Sequence, residues 1–160
     1  MLILLDIDAV LVPANSWEKP EFMEDGFPAF NLRSVKALQR IISATNAPVV
    51  LTTSHKTKYE VSKWKDLLKL RGIDPKSVRK LTTNSLQTSR KDEILEWYRN
   101  QRSPEEEFVI IDDDKMLNGL PEKLKDNIVL TGPSVGLTED LADEAISILQ
   151  KTRFHHHLSE

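Results

Sequence analysis

The chain has no cysteine and only five glycines among its 160 residues. Without cysteine there can be no disulfides and no thiolate metal sites, though that alone does not identify a compartment. The few glycines leave no glycine-rich nucleic-acid loop, and no zinc-finger module is recognisable. No window approaches the roughly 18 consecutive apolar residues of a membrane span, so no membrane partner is expected. The first residues carry neither a basic stretch nor a small-residue cleavage site. No secretory signal is therefore expected, and a cytoplasmic location is the default. Three of the four histidines stand together at residues 155–157. Adjacent histidines form no ready-made metal site, and they read as part of a tail over residues 154–160.

What is present begins at the N-terminus. Leu2 to Leu5 is a short unbroken apolar run, which suits a strand covered on both faces. It delivers Asp6 and Asp8, two residues apart, before a second apolar run from Val10 to Val12. Side chains at i and i+2 share a face while strand geometry lasts. Two like charges held that close repel unless a cation sits between them.

The segment of about residues 13–30 holds Pro13, Pro20 and Pro28 with the aromatics Trp17, Phe22, Phe27 and Phe30. It is too short for a core of its own and reads as a flap over the end of the first strand, its aromatics packing it to the body. Asn31 is a fair N-cap for a helix with Leu32, Val35, Leu38, Ile41 and Ile42 at helical spacing. Pro48 to Ser54 reads as a second buried strand ending in the hydroxyls Thr52, Thr53 and Ser54. A basic amphipathic helix is expected over residues 58–71, with Val61, Trp64, Leu67 and Leu68 inward and Gly72 as its stop. Val78 to Thr82 suits a short strand. Ser89 caps a further helix with Ile94, Leu95 and Tyr98 on its apolar side. Phe108 to Asp114 is a third buried strand ending in acids, and Ile128 to Thr131 a further one. Thr138 caps a last helix, with Glu139 and Asp140 in its first turn and Leu141, Ala145, Ile148 and Leu149 inward.

Strands alternating with helices over one 1–153 domain predict an α/β fold, a doubly wound parallel sheet in a Rossmann-like three-layer sandwich. Ligands of such folds bind beyond the carboxyl ends of the strands. Asp6 and Asp8, Thr52 to Ser54, and Asp112 to Asp114 all end apolar strands on that side and should converge. Carboxylates without histidine or cysteine are hard oxygen ligands, suited to magnesium rather than zinc. One carboxylate can attack a phosphoryl group to form an aspartyl-phosphate, and a second can protonate the leaving oxygen and later activate water. A hydroxyl and a cation would neutralise the phosphoryl oxygens.

Net charge is -3, yet residues 55–91 carry eleven Lys or Arg against Glu60, Asp66 and Asp74, a local balance of +8 that leaves -11 for the rest. Such a stretch is ordinarily a solvated helix face; it also suits an anionic partner. His55, beyond the hydroxyl strand end, reads more simply as an exposed loop residue than as a phosphate contact.

The order Asp6-Ile-Asp8-Ala-Val10, Thr52, Lys91 and Ile111-Asp112-Asp113 resembles the four motifs of the haloacid dehalogenase-like (HAD) phosphohydrolase superfamily. The resemblance implies that Asp6 is the nucleophile and Asp8 the general acid/base. It implies Thr52 as the phosphoryl-binding hydroxyl, Thr53 and Ser54 beside the substrate, and Lys91 as the steadying cation. Magnesium would sit on Asp6, the Asp8 carbonyl, Asp112 and Asp113. Thr53 competes with Thr52, Arg90 with Lys91 and Asp114 with Asp112, and Ala9 stands where the family usually has glycine. Thr52-Thr-Ser54, Arg90 to Trp97, Val109 to Asp114 and Gly136-Leu-Thr138 resemble a narrower branch, the phosphatase domains of Swiss army knife RNA repair proteins. That branch implies a nucleic-acid (RNA) end as substrate.

By that resemblance the chain is of the capless type, since neither the stretch between the first two motifs nor residues 92–111 can house a cap domain. An open site suits a macromolecular end, and the basic stretch suits a phosphate backbone. The alternative is a small-metabolite or nucleotide phosphatase with a lid from a second subunit, so monomer and homodimer both stay open. A phosphoacceptor signalling domain would place its phosphorylated Asp mid-chain and its lysine last, which is the wrong order here. A catalytically silent binding domain of the same fold is the non-enzyme alternative.

Overall fold

The structure, a computed structural model, describes residues 1–14, 21–82, 89–100, 102, 103 and 105–158, with side chains as far as residue 150. Five strands, β1 (Leu2–Leu5), β2 (Val49–Leu51), β3 (Val78–Lys80), β4 (Phe108–Asp112) and β5 (Ile128–Leu130), form one sheet. Their order is β3-β2-β1-β4-β5, and every pairing is parallel. The chain moves outward from β1 to β3 and then crosses to β4 on the other side of β1. This reversal opens a crevice between the carboxyl ends of β1 and β4, where doubly wound sheets hold ligands.

The unbroken apolar runs follow from burial on both faces. Ile3, Leu5, Leu51, Val109 and Ile111 point into a core closed by α1 (Leu32–Thr45), α2 (Val61–Leu70) and α5 (Glu139–Leu158). Leu4, Val50 and Ile110 point the other way, against Ile94 and Trp97 of α3 (Arg90–Asn100) and Leu124 of α4 (Glu122–Lys125). Leu117 and Leu120, from a 3-10 turn over Lys115–Gly119 and its C-cap, join that second core. The result is a three-layer α/β/α sandwich.

Asn31 caps α1 as expected, its Oδ1 accepting from the amides of Arg33 and Ser34. Other expectations need correction. Leu32 is 75% exposed, because it precedes the first inward turn, and Val61 is also exposed. The helix expected over 58–71 is the shorter α2, and a 3-10 turn, Ser54–Lys58, precedes it. On α3 the fully buried residues are Ile94 and Trp97, with Leu95 and Tyr98 only partly covered. The 3-10 turn at Lys115–Gly119 and α4 were not expected. The last helix runs over Glu139–Leu158 and so enters the segment read as a tail, which does not contradict that reading.

Within the flap, residues 21–29 form a hairpin, with Phe22 bridged to Pro28. Arg71 of the α2 C-cap holds it. Its guanidinium donates to both Asp25 oxygens and to the carbonyls of Phe27 and Pro28. Chiefly through these hydrogen bonds from Arg71, the Asp25 pKa is lowered to about 2. Phe27 and Phe30 are buried and anchor the segment, whereas Phe22 is exposed. Trp17 lies outside the described residues.

Gly136 supports the turn that follows β1. Its φ is +78°, and a Cβ there would come within 2.6 Å of the Val10 carbonyl oxygen. The next amide, Leu137, donates to that same oxygen. Gly136→Ala is therefore expected to cost about 2–3 kcal/mol, lowering Tm by roughly 5–10 °C. A thermal melt within 1 °C of wild type would contradict this reading of the turn (that margin being about the ordinary scatter of a surface substitution).

Candidate active site

The register brings three side chains to one place. Leu5 pairs with Leu51 on one side and Ile111 on the other, so Asp6, Thr52 and Asp112 are the next residues on three adjacent strands. The Asp6 amide donates to Ile111 O and the Thr52 amide to Leu5 O, which carries the pairing one residue further. By alternation all three point toward the α3 layer. Each is buried.

Asp6, Asp112 and Asp113 offer carboxylate oxygens that all lie within 4.8 Å of one another. Together with Arg90, Asp114, Lys115 and Pro133 they line a cavity of about 410 Å³ at the β1/β4 crevice. Asp112 Oδ1 accepts from the amides of Asp113 and Asp114, and its Oδ2 is 2.6 Å from Arg90 Nη1. The same Nη1 is 3.3 Å from Asp6 Oδ2. Burial acts to lower the Arg90 pKa, but Asp6 and Asp112 outweigh it and raise it. The guanidinium stays charged.

Arg90, not Lys91, is thus the cation that meets the acids. Lys91 instead lies along the Lys115–Gly119 turn, its Nζ 2.9 Å from where a Gly119 Cβ would stand. The hydroxyl alternatives also separate. Thr53 caps the 3-10 turn by accepting from the His55 amide. Thr52 Oγ1 is buried and has no partner among the described residues. A buried hydroxyl left without a partner is costly, and it stands free for a ligand. Ser54 is exposed at the start of the turn. β4 ends at Asp112, and Asp114 is used as a cap, accepting from Met116 N.

Asp8 does not join the acid cluster. Regular strand geometry ends at Leu5, and Asp8 already forms an isolated bridge with Val12, so the i, i+2 rule no longer holds. Its carboxylate is exposed and 2.8 Å from His55 Nε2. His55 is accordingly a partnered residue rather than a plain loop histidine. Ala9 has φ +63°, a left-handed conformation that costs a non-glycine residue roughly 1–2 kcal/mol. Alanine at this position therefore strains the turn. Lys115 and Pro133 are not among the residues that the sequence points to; Lys115 follows the acids that end β4, and Pro133 follows β5.

Burial first, then the neighbouring Asp112, raises Asp6 from 3.8 to about 7 despite Arg90. Burial and Asp112 also raise Asp113. A magnesium ion fits this set: the donors are all oxygen, and like charges crowded together gain from a cation. Asp6, Asp112 and Asp113 are the groups that would hold it.

This crowding has a consequence in metal-free buffer. Asp6 binds its proton more tightly folded than unfolded. Its contribution to stability is present below about pH 4 and is lost as pH rises through about 7. Asp6→Asn is therefore expected to melt above wild type at pH 8 by on the order of 2–4 kcal/mol, with the gap closing toward pH 4. A variant that is less stable at pH 8 would contradict the crowding.

Against known families, residues 2–142 match a model described as the HAD domain in Swiss Army Knife RNA repair proteins. No curated protein and no solved structure matches the chain.

Proposed function

Since the chain belongs to the HAD domains of Swiss Army Knife RNA repair proteins, a branch of the HAD hydrolases, we propose that it is a magnesium-dependent phosphatase acting at a nucleic-acid end. The observation that carries this reading is the buried Asp6 with the unpartnered Thr52 hydroxyl in register beside it and Asp112, Asp113 and Arg90 across the crevice. An Asp6 oxygen attacks phosphorus and the bond to the leaving oxygen breaks. Asp8 gives that oxygen its proton. The acyl phosphate on Asp6 is then hydrolysed as the Asp8 carboxylate takes a proton from water. The water oxygen bonds to phosphorus, and Asp6 leaves as carboxylate. Thr52 and Arg90 steady the phosphoryl oxygens. Bound magnesium would supply Lewis-acid neutralisation of the developing charge.

The surface supports a polymeric substrate. Among the described residues no cap domain covers the crevice, and Lys58, Lys63, Lys69, Lys76 and Arg79 are exposed. Not all of the basic stretch is free, since Lys56 pairs with Glu93, Arg71 with Asp25, and Arg90 with the acids. In magnesium buffer, hydrolysis of an end-phosphorylated oligonucleotide should weaken steeply as salt rises, while hydrolysis of nitrophenyl phosphate changes little. Both should stop on chelation. Equal salt slopes would favour a small phosphate ester as substrate, and activity that survives chelation would remove the metal.

A further inference from the structure

The contact between His55 and Asp8 has no counterpart in the four motifs, and it ties the catalytic loop to the flap. His55 is held from three sides. Its amide donates to Thr53 Oγ1, and its ring meets Phe27 edge-on at 5.5 Å and 88°. Nε2 reaches Asp8 Oδ2 at 2.8 Å. Phe27 is itself buried among Phe30, Tyr59 and Trp64, and its carbonyl is held by Arg71. Apart from Asp8, the residue is thus anchored through its backbone amide and its contact with Phe27.

We infer that His55 is a positioning residue for the Asp8 carboxyl, holding Oδ2 so that Oδ1 alone exchanges protons with the leaving group and the hydrolytic water. With Nε2 at 2.8 Å, Oδ2 is the oxygen that the imidazole engages. The transferable proton is thereby confined to Oδ1. Asp8 is the exposed residue of an otherwise buried turn after the end of β1, where several carboxyl rotamers would otherwise be open to it. This inference rests on the proposed role of Asp8 as general acid/base.

The test uses the full chain with nitrophenyl phosphate and magnesium, reading turnover and, by intact mass, the steady-state phosphoenzyme. Loss of the orienting bond in His55→Ala should slow phosphoenzyme breakdown about tenfold, so the intermediate accumulates. His55→Gln, whose amide nitrogen can take the place of Nε2, should restore breakdown to within about threefold. His55→Asn, too short to reach, should behave like the alanine variant while keeping a polar group near Phe27. If the alanine variant fails to fold, the asparagine and glutamine variants carry the comparison. In an Asp8→Asn background the His55 substitutions should add nothing. If Asp8→Asn accumulates phosphoenzyme but neither His55→Ala nor His55→Asn does, the positioning role is overturned and the catalytic reading stands. Equal defects in the glutamine and asparagine variants, or faster breakdown in the alanine variant, also overturn it. If Asp8→Asn turns over normally, both readings fall together.

Discussion

Asp6→Asn is expected to abolish phosphatase turnover, by on the order of 10⁴ to 10⁶ in kcat, and to leave no phosphoenzyme at any time point. The amide is nearly isosteric with the carboxyl but cannot form the acyl phosphate, so the chemical step loses its first bond-making event. Loss of fold would not explain the result. The substitution removes a buried charge that Asp112 crowds, and Arg90 keeps its 2.6 Å partner in Asp112. In metal-free buffer the variant should be at least as stable as wild type above pH 7, so a melt under those conditions separates lost chemistry from lost structure. Residual turnover within about tenfold of wild type would move the nucleophile elsewhere.

Asp8→Asn should fail differently. Nitrophenolate leaves readily without a proton, so Asp6 is still phosphorylated at a measurable rate. Breakdown then lacks its general base and should slow by roughly 10² to 10⁴. The variant should give a burst of nitrophenol equal to the enzyme present, followed by slow turnover. An alkyl phosphate, whose leaving oxygen needs the proton, should give no burst at all. A normal steady state on both esters would exclude Asp8 from proton transfer, in keeping with its position outside the acid cluster.

Much of this geometry can be read from the chain because parallel strands buried on both faces are written as unbroken apolar runs. Their polar ends then mark one edge of the sheet. Asp6, Thr52 and Asp112 were legible on that basis, and strand alternation makes them share a face. The choice between Arg90 and Lys91 depends instead on the rotational phase of α3. A stripe through Leu95 and Tyr98 selects Lys91, whereas the stripe that is buried, Ile94 and Trp97, selects Arg90 by spacings of four and seven. Weighing Trp97 above the half-covered pair would have found it. Asp8 shows a different limit. The i, i+2 rule was extended past the end of β1 into a turn with a left-handed Ala9, and no local pattern reports where a strand stops. The His55–Asp8 contact spans 47 positions and depends on how the 3-10 turn docks, which neither composition nor spacing encodes.

The central claim is that a phosphoryl group passes through Asp6, and mass analysis of trapped phosphoenzyme tests it most directly. Asp8→Asn mixed with nitrophenyl phosphate and magnesium, quenched in acid and reduced with borohydride, should yield an N-terminal peptide with homoserine at position 6. Asp6→Asn treated in the same way should yield the unmodified peptide. Phosphoryl transfer without modification at position 6, or modification at Asp112 or Asp113 instead, would contradict the account.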